Sequence, residues 1–156
     1  MIFTKRADYG LRAALELAAQ HGRGALSAHQ ISERSDLPEP FVKKLLQDLS
    51  AAGLAQSQRG RRGGYYLSDA PERVGLLDVL SAFEDLAPVQ CLAVHDDNDG
   101  DEAACALEDH ETACPTRAVW RLIDSRVRSA LEELTLADLL GVLSGRGLKL
   151  DVIVHG

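Results

Sequence analysis

The chain is poor in aromatics, with one Trp, three Tyr and three Phe among 156 residues. At 46% hydrophobic it still has a core to bury, but that core must be mostly Leu, Ala, Val and Ile. No apolar run approaches the roughly 18 residues that span a bilayer, and the opening MIFTKRADYG has no apolar segment of the signal-peptide kind. A cytoplasmic protein with no membrane partner is the expectation. Cysteine is scarce and odd in number, at three. A reducing compartment disfavours structural disulfides, which leaves metal ligands, sensors or inert core residues. There is no CxxC, so a structural zinc knuckle is poorly supported. A Walker loop, a nucleophile elbow, HExxH and a dinucleotide fingerprint are also missing, so the chain is not expected to be an enzyme.

One absence is local. From Glu84 to Pro115 there is no Lys or Arg, while ten acids and all three cysteines fall there. The net charge of −7 argues at first against nucleic acid, but it is unevenly spread. Residues 1–66 hold ten Lys/Arg against six Asp/Glu, whereas residues 67–156 hold seven against eighteen. A basic front half is joined to an acidic back half.

The front half has the punctuation of short helices. Residues 4–20, TKRADYGLRAALELAAQ, predict a helix with Leu11, Ala14, Leu15 and Ala18 on one stripe, Thr4 as cap and Gly22 beyond the end. Ser27 and Gln30 have capping-box spacing, with Leu26 and Ile31 as a hydrophobic staple, so a second helix runs from about Ala28 to Arg34. SDLPEP is a turn. PFVKKLLQDLSAAG is a third helix, with Phe41, Val42, Leu45, Leu46 and Leu49 inward and Gly53 as its stop. Two strand-like pieces, LAQSQ and YYLSD, flank the turn RGRRGG, and GLLDVLSAFED is a fourth helix. Past the acidic loop, TRAVWRLIDSRVRSALEEL is a long amphipathic helix whose apolar face is Val119, Leu122, Ile123, Val127, Ala130, Leu131 and Leu134. Thr135 and Asp138 cap a short last helix, and the tail holds a strand-like LDVIVH of no evident role.

Helix, short helix, tight turn, helix and hairpin is the order of a winged helix-turn-helix, whose third helix enters the major groove. The exposed positions of that helix are Glu39, Lys43, Lys44 and Gln47. Lys and Gln serve base edges or phosphates. Glu39 either accepts from cytosine or complements the helix dipole. At the hairpin tip, Arg59, Arg61 and Arg62 suit phosphates or a narrow minor groove, and the tip glycines would let the backbone approach the duplex.

Cys91, Cys105 and Cys114 are separated by thirteen and eight residues. Three thiolates in a loop suit an iron–sulfur cluster, zinc or copper(I). Against this stand a buried, inert Cys105 and a thiol–disulfide switch, the latter disfavoured by carboxylates that raise thiol pKa values.

The pieces TKRADYGLRAALELA, ISERSDLPEPFVKKLLQDLSAAGL, QRGRRGGYYLSD and CPTRAVWRLIDSRVRSALEELTLADLL, in that order over roughly residues 3–140, resemble the IscR/NsrR family of bacterial transcription regulators, also called the Rrf-two family. The resemblance implies a mainly α fold: a winged helix-turn-helix with a small two-stranded wing, plus a long helix that crosses its partner in a homodimer. A dimer implies a palindromic DNA operator. It further implies an iron–sulfur cluster, held by three loop cysteines and one variable ligand, that tunes DNA binding in response to redox state, nitric oxide or iron status. Position by position, Cys91, Cys105 and Cys114 match the cysteine ligands and Arg59 the wing arginine. Lys43 matches a recognition-helix position that is often Glu, so the target sequence differs accordingly.

Two departures stand out. The cysteines are further apart than is usual in the family, and Arg117 occupies the place of a His ligand three residues after the last cysteine. Asp8, in KRADYG, matches an acid that some nitric-oxide-sensing members supply from the partner chain, and it favours a 4Fe–4S over a 2Fe–2S cluster. Asp8 is otherwise a helix-start acid, and His95 and His110 are loop residues that offer local alternatives. The expected organisation is a DNA-binding region at 1–70, a connecting helix at 71–90, a cluster-binding loop at 91–115, a dimerisation helix and short final helix at 116–143, and a tail at 144–156. The other reading is a winged-helix regulator without a cluster, acting through a cysteine thiol switch or another ligand.

Overall fold

A computed structural model describes residues 3–61, 63–88 and 116–145. The helices are α1 (Lys5–Ala19), α2 (Ala28–Ser35), α3 (Glu39–Ala51), α4 (Leu76–Ser81), α5 (Arg117–Glu132) and α6 (Leu136–Leu143). Between α3 and α4 lie β1 (Ala55–Gln58), β2 (Gly64–Leu67) and a single 3₁₀ turn at Pro71–Arg73. The strands pair antiparallel, with Ala55 opposite Leu67 and Gln58 opposite Gly64. The fold is mainly helical with a small two-stranded wing, as the sequence predicts.

The capping signals hold. The Thr4 hydroxyl accepts from the N–H of Ala7 at 3.3 Å. Ser27 and Gln30 form both halves of their capping box, as do Thr135 and Asp138. α2 ends on Asp36 in the left-handed region, at φ 54°. That residue turns the chain tightly into α3, whose Val42, Leu45, Leu46 and Leu49 are all fully buried. Burying each such leucine stabilises by roughly 1.5–3 kcal/mol.

The face that α1 buries is wider than the stripe expected, whose Leu11 and Leu15 pack against the core at its margin. Ala14 and Ala18 are buried, but Leu11 and Leu15 are only half-buried. Ala7, Gly10, Ala13 and Leu17 complete the inner face. Small side chains win because neighbouring elements come close: the Phe83 ring lies where a Cβ on Gly10 would have to sit. α4 is also shorter than its sequence pattern. It ends after Ser81, so that Phe83 and Leu86 turn inward from the following segment.

The end of α5 is tied to this core. Leu76 donates its N–H to the Leu134 carbonyl at 2.8 Å, and Leu136 donates to the Val74 carbonyl at 3.0 Å. Leu131 and Leu134 pack on the core, and Leu136 is fully buried. The start of α5 is different: Val119 is 55% exposed, Leu122 58% and Ile123 39%. The strand-like stretch of the tail lies outside the described residues.

Candidate nucleic-acid interface

α3 buries one face and presents another. Lys43, Lys44 and Gln47 are exposed, and Glu39 is half-buried in the first turn. These four predicted residues therefore lie on one solvent-facing strip, but they are not equivalent. Lys43 Nζ is 2.7 Å from Glu39 Oε1, an i,i+4 pair. The other carboxylate oxygen, Oε2, is 3.2 Å from His29 Nδ1 on α2. The hydrogen bond from Lys43 holds the Glu39 carboxyl below the usual carboxylate range, slight burial opposes this, and His29 adds to the lowering. Lys44 and Gln47 have no side-chain partner among the described residues, and neither do Arg59 and Arg61. Free cations are the groups ready to meet phosphates.

His29 escaped the sequence reading. Ten positions separate it from Glu39, and only the tight turn between α2 and α3 brings the two together. No periodic pattern signals such a contact.

The wing projects from the core: Ala55 is its buried anchor, while Gln56 through Arg61 are exposed. Arg62 lies outside the described residues. The turn glycines do something other than expected. Gly64 packs against the Leu26 backbone, where any Cβ would overlap. That closeness permits the paired bonds between Leu26 and Tyr65, at 2.9 and 2.7 Å. Gly63 is likewise crowded by the carbonyls of Gln58 and Gly60. Only Gly60, at φ +124° with open space around it, is free for an outside approach.

α1 braces α3. Arg6 Nη2 meets Asp48 Oδ2 at 2.9 Å, and the Tyr9 and Phe41 rings pack edge to face at 5.7 Å. The same helix reaches the segment that enters the acidic loop. The Thr4 N–H donates to Glu84 Oε1 at 2.6 Å, and the Thr4 hydroxyl donates to the same oxygen. Asp8 sits one turn on, half-exposed and paired with Arg12 at 2.9 Å. The other predicted cluster residues, Cys91, Cys105 and Cys114, lie outside the described residues, as do His95 and His110. Among the described residues no group of three His, Cys, Asp or Glu side chains is placed to hold a metal ion, and no helix is long and apolar enough to cross a membrane.

Two helices joined by a tight turn, a braced third element and a basic wing define a winged helix-turn-helix protein. A family description, Rrf2, iron-dependent transcriptional regulator, matches residues 3–141. The chain belongs to the Rrf2 family of DNA-binding transcription regulators. It is 37% identical over 140 residues to slr0846 of Synechocystis sp., provisionally named an HTH-type transcriptional regulator, covering 89% of this chain and 87% of that one. It is 32% identical over 146 residues to the HTH-type transcriptional regulator CymR of Bacillus subtilis, covering 93% and 94%. Among solved structures, T. potens IscR superposes with a TM-score of 0.70 at 26% identity, over 94% of this chain and 90% of that one.

Proposed function

We propose that the protein is a homodimeric transcription regulator that binds a palindromic operator, and that an iron–sulfur cluster sets its affinity for DNA. The observation that carries the DNA reading is the exposed strip of α3, with Lys44 and Gln47 unpartnered among the described residues and Arg59 and Arg61 exposed on the wing. α3 enters the major groove and the wing arginines meet the flanking phosphates. The dimer rests on the start of α5, where Val119, Leu122 and Ile123 form an exposed apolar stripe that no other described residue covers. A second copy of α5 covers it, in an isologous contact.

Three thiolates and one carboxylate are donor types that iron–sulfur clusters accept. On this reading Cys91, Cys105 and Cys114 would hold the cluster with Asp8 of the partner subunit as fourth ligand, a carboxylate now paired with Arg12. When bound, the cluster supplies a centre sensitive to redox change and nitric oxide. The chain's own contribution is the linkage: Glu84 is bonded to the cap of α1, and α1 is braced on α3 through Arg6–Asp48 and Tyr9–Phe41. A change in the loop would therefore bias the pose of the reading helix. Anaerobic purification with assay of iron, acid-labile sulfide and visible absorption, for wild type beside Asp8→Ala, tests this. A brown protein whose spectrum changes in the variant supports it. A colourless wild type that cannot be reconstituted would sink the cluster.

The second reading drops the cluster and uses the cysteine thiols as a switch, or another ligand. The likeness to CymR favours it. That structure, described as the global cysteine regulator of B. subtilis, superposes with a TM-score of 0.66 at 29% identity, over 89% of this chain and 95% of that one.

A further inference from the structure

We propose that His29, on the first helix of the helix-turn-helix, is a specificity-determining positioning residue: it aims the Glu39 carboxylate at a base-edge amine, that of cytosine. This rests on the reading that α3 lies in the major groove. Three observations lead to it. First, both oxygens of Glu39 are held by side chains from two different helices, Oε1 by Lys43 at 2.7 Å and Oε2 by His29 Nδ1 at 3.2 Å. Second, the far side of the His29 ring is also occupied, with Nε2 3.5 Å from Glu33 Oε1. Third, the core fixes the distance between the two helices, because Ile31 of α2 and Val42, Leu45 and Leu46 of α3 are fully buried.

The chemistry follows from donors and acceptors. A carboxylate carries about four lone-pair sites, so two contacts leave acceptor capacity for a third partner. Left unpaired, it would be repelled by DNA phosphates. Paired with Lys43 and steadied by His29, it can lie at the interface as a fixed acceptor, and the major-groove partner for an acidic side chain is the cytosine N4 amine. The ring nitrogens of His29 face carboxylates, Glu39 on α3 at 3.2 Å and Glu33 on its own helix at 3.5 Å, and only the Glu39 contact is of hydrogen-bond length. It therefore acts through Glu39. The strip divides its labour: Lys44, Arg59 and Arg61 supply free cations, while Glu39, Lys43 and His29 form a tethered reader.

The test starts from selection of wild-type protein against random-sequence duplexes. The affinity of wild type, His29→Ala, His29→Gln, Glu39→Ala and the double variant His29→Ala/Glu39→Ala is then titrated by fluorescence anisotropy on the selected duplex and on each single-base change of it. His29 is exposed, and circular dichroism will show each variant folded. The expected result is a cytosine in each half-site whose preference falls about tenfold in His29→Ala. Gln, which keeps a donor, restores most of it. In the Glu39→Ala background the His29 change adds nothing further. A uniform change across all duplexes, or additive losses in the double variant, would overturn the inference and leave the DNA reading intact. A wild type that enriches no sequence would remove that reading, and this inference with it.

Discussion

α3 and α5 are both amphipathic, and each carries an apolar stripe at helical spacing. Their fates differ. α3 buries Val42, Leu45, Leu46 and Leu49 completely within its own chain, while α5 leaves Val119, Leu122 and Ile123 in the open and buries none of its residues. An apolar stripe says that something must cover it. It does not say whether the cover is the same chain or another. What separates the two helices is their surroundings. α3 is enclosed by α1, α2 and the wing, whereas among the described residues α5 joins the core near its end, through Leu131, Leu134 and the bonds flanking Leu136.

The comparison breaks first on core truncation. Leu46→Ala is expected to lower unfolding free energy by about 2–5 kcal/mol, because it leaves a cavity among fully buried neighbours. Leu122→Ala in the same urea titration, at protein concentrations where the chain is monomeric, is expected to change little. Equal losses would mean that α5 is as enclosed as α3. The next largest effect is on association. Leu122→Asp places a charge in the centre of the exposed stripe, and its removal as an anchor is expected to cost about 2 kcal/mol in each half of a symmetric contact. Sedimentation should then show monomers where wild type is dimeric, with the helical content retained. A variant that stays dimeric would take α5 out of the interface.

A third measurement sharpens the outer face of α3. Among the described residues Lys44 has no side-chain partner, while Lys43 is tied to Glu39. Lys44→Ala is expected to weaken binding to all duplexes and reduce the salt slope by about one. Lys43→Ala should change the slope less and alter sequence preference more, since it releases Glu39. Identical slopes for the two variants would mean that the ion pair does not survive at the DNA.

Most of the fold was legible, because its signals are local. Capping boxes at Ser27 and Thr135, the stop at Gly53 and the stripe of α3 each speak through residues a few positions apart. The inner face of α1 was only partly legible: Ala14 and Ala18 are buried and Leu11 and Leu15 pack at its margin, but nothing in the pattern singles out Ala7, Gly10 and Ala13. The choice was made by close approach, with Phe83, seventy-three positions away, set against Gly10. The candidate site was legible in its cations and illegible in their pairing. Lys43 and Lys44 are adjacent and alike in sequence, yet among the described residues one is tethered and the other has no side-chain partner. His29 joined the site only through the αL turn at Asp36.

The smallest effect concerns the joint that fastens α5 to the rest. Asp138 accepts from the Thr135 hydroxyl at 2.6 Å and from the Thr135 N–H at 2.9 Å. The hydroxyl bond first, and the backbone bond second, hold its carboxyl below the usual aspartate range. A carboxyl whose folded pKa is depressed adds stability that is fully present above its unfolded value, about 3.9, and is lost as pH falls through the folded one. Asp138→Asn should therefore cost little at neutral pH, about 0.3 kcal/mol for an exposed first-turn acid. It should also flatten the acid limb of the stability curve below about pH 4. Because the cap sits at the junction of α5 and α6, thermal melts of the dimer and of the Leu122→Asp monomer should show the same acid dependence. A dependence seen only in the dimer would mean that the joint is completed by the second chain, and that α5 is fastened less by its own core than by its partner.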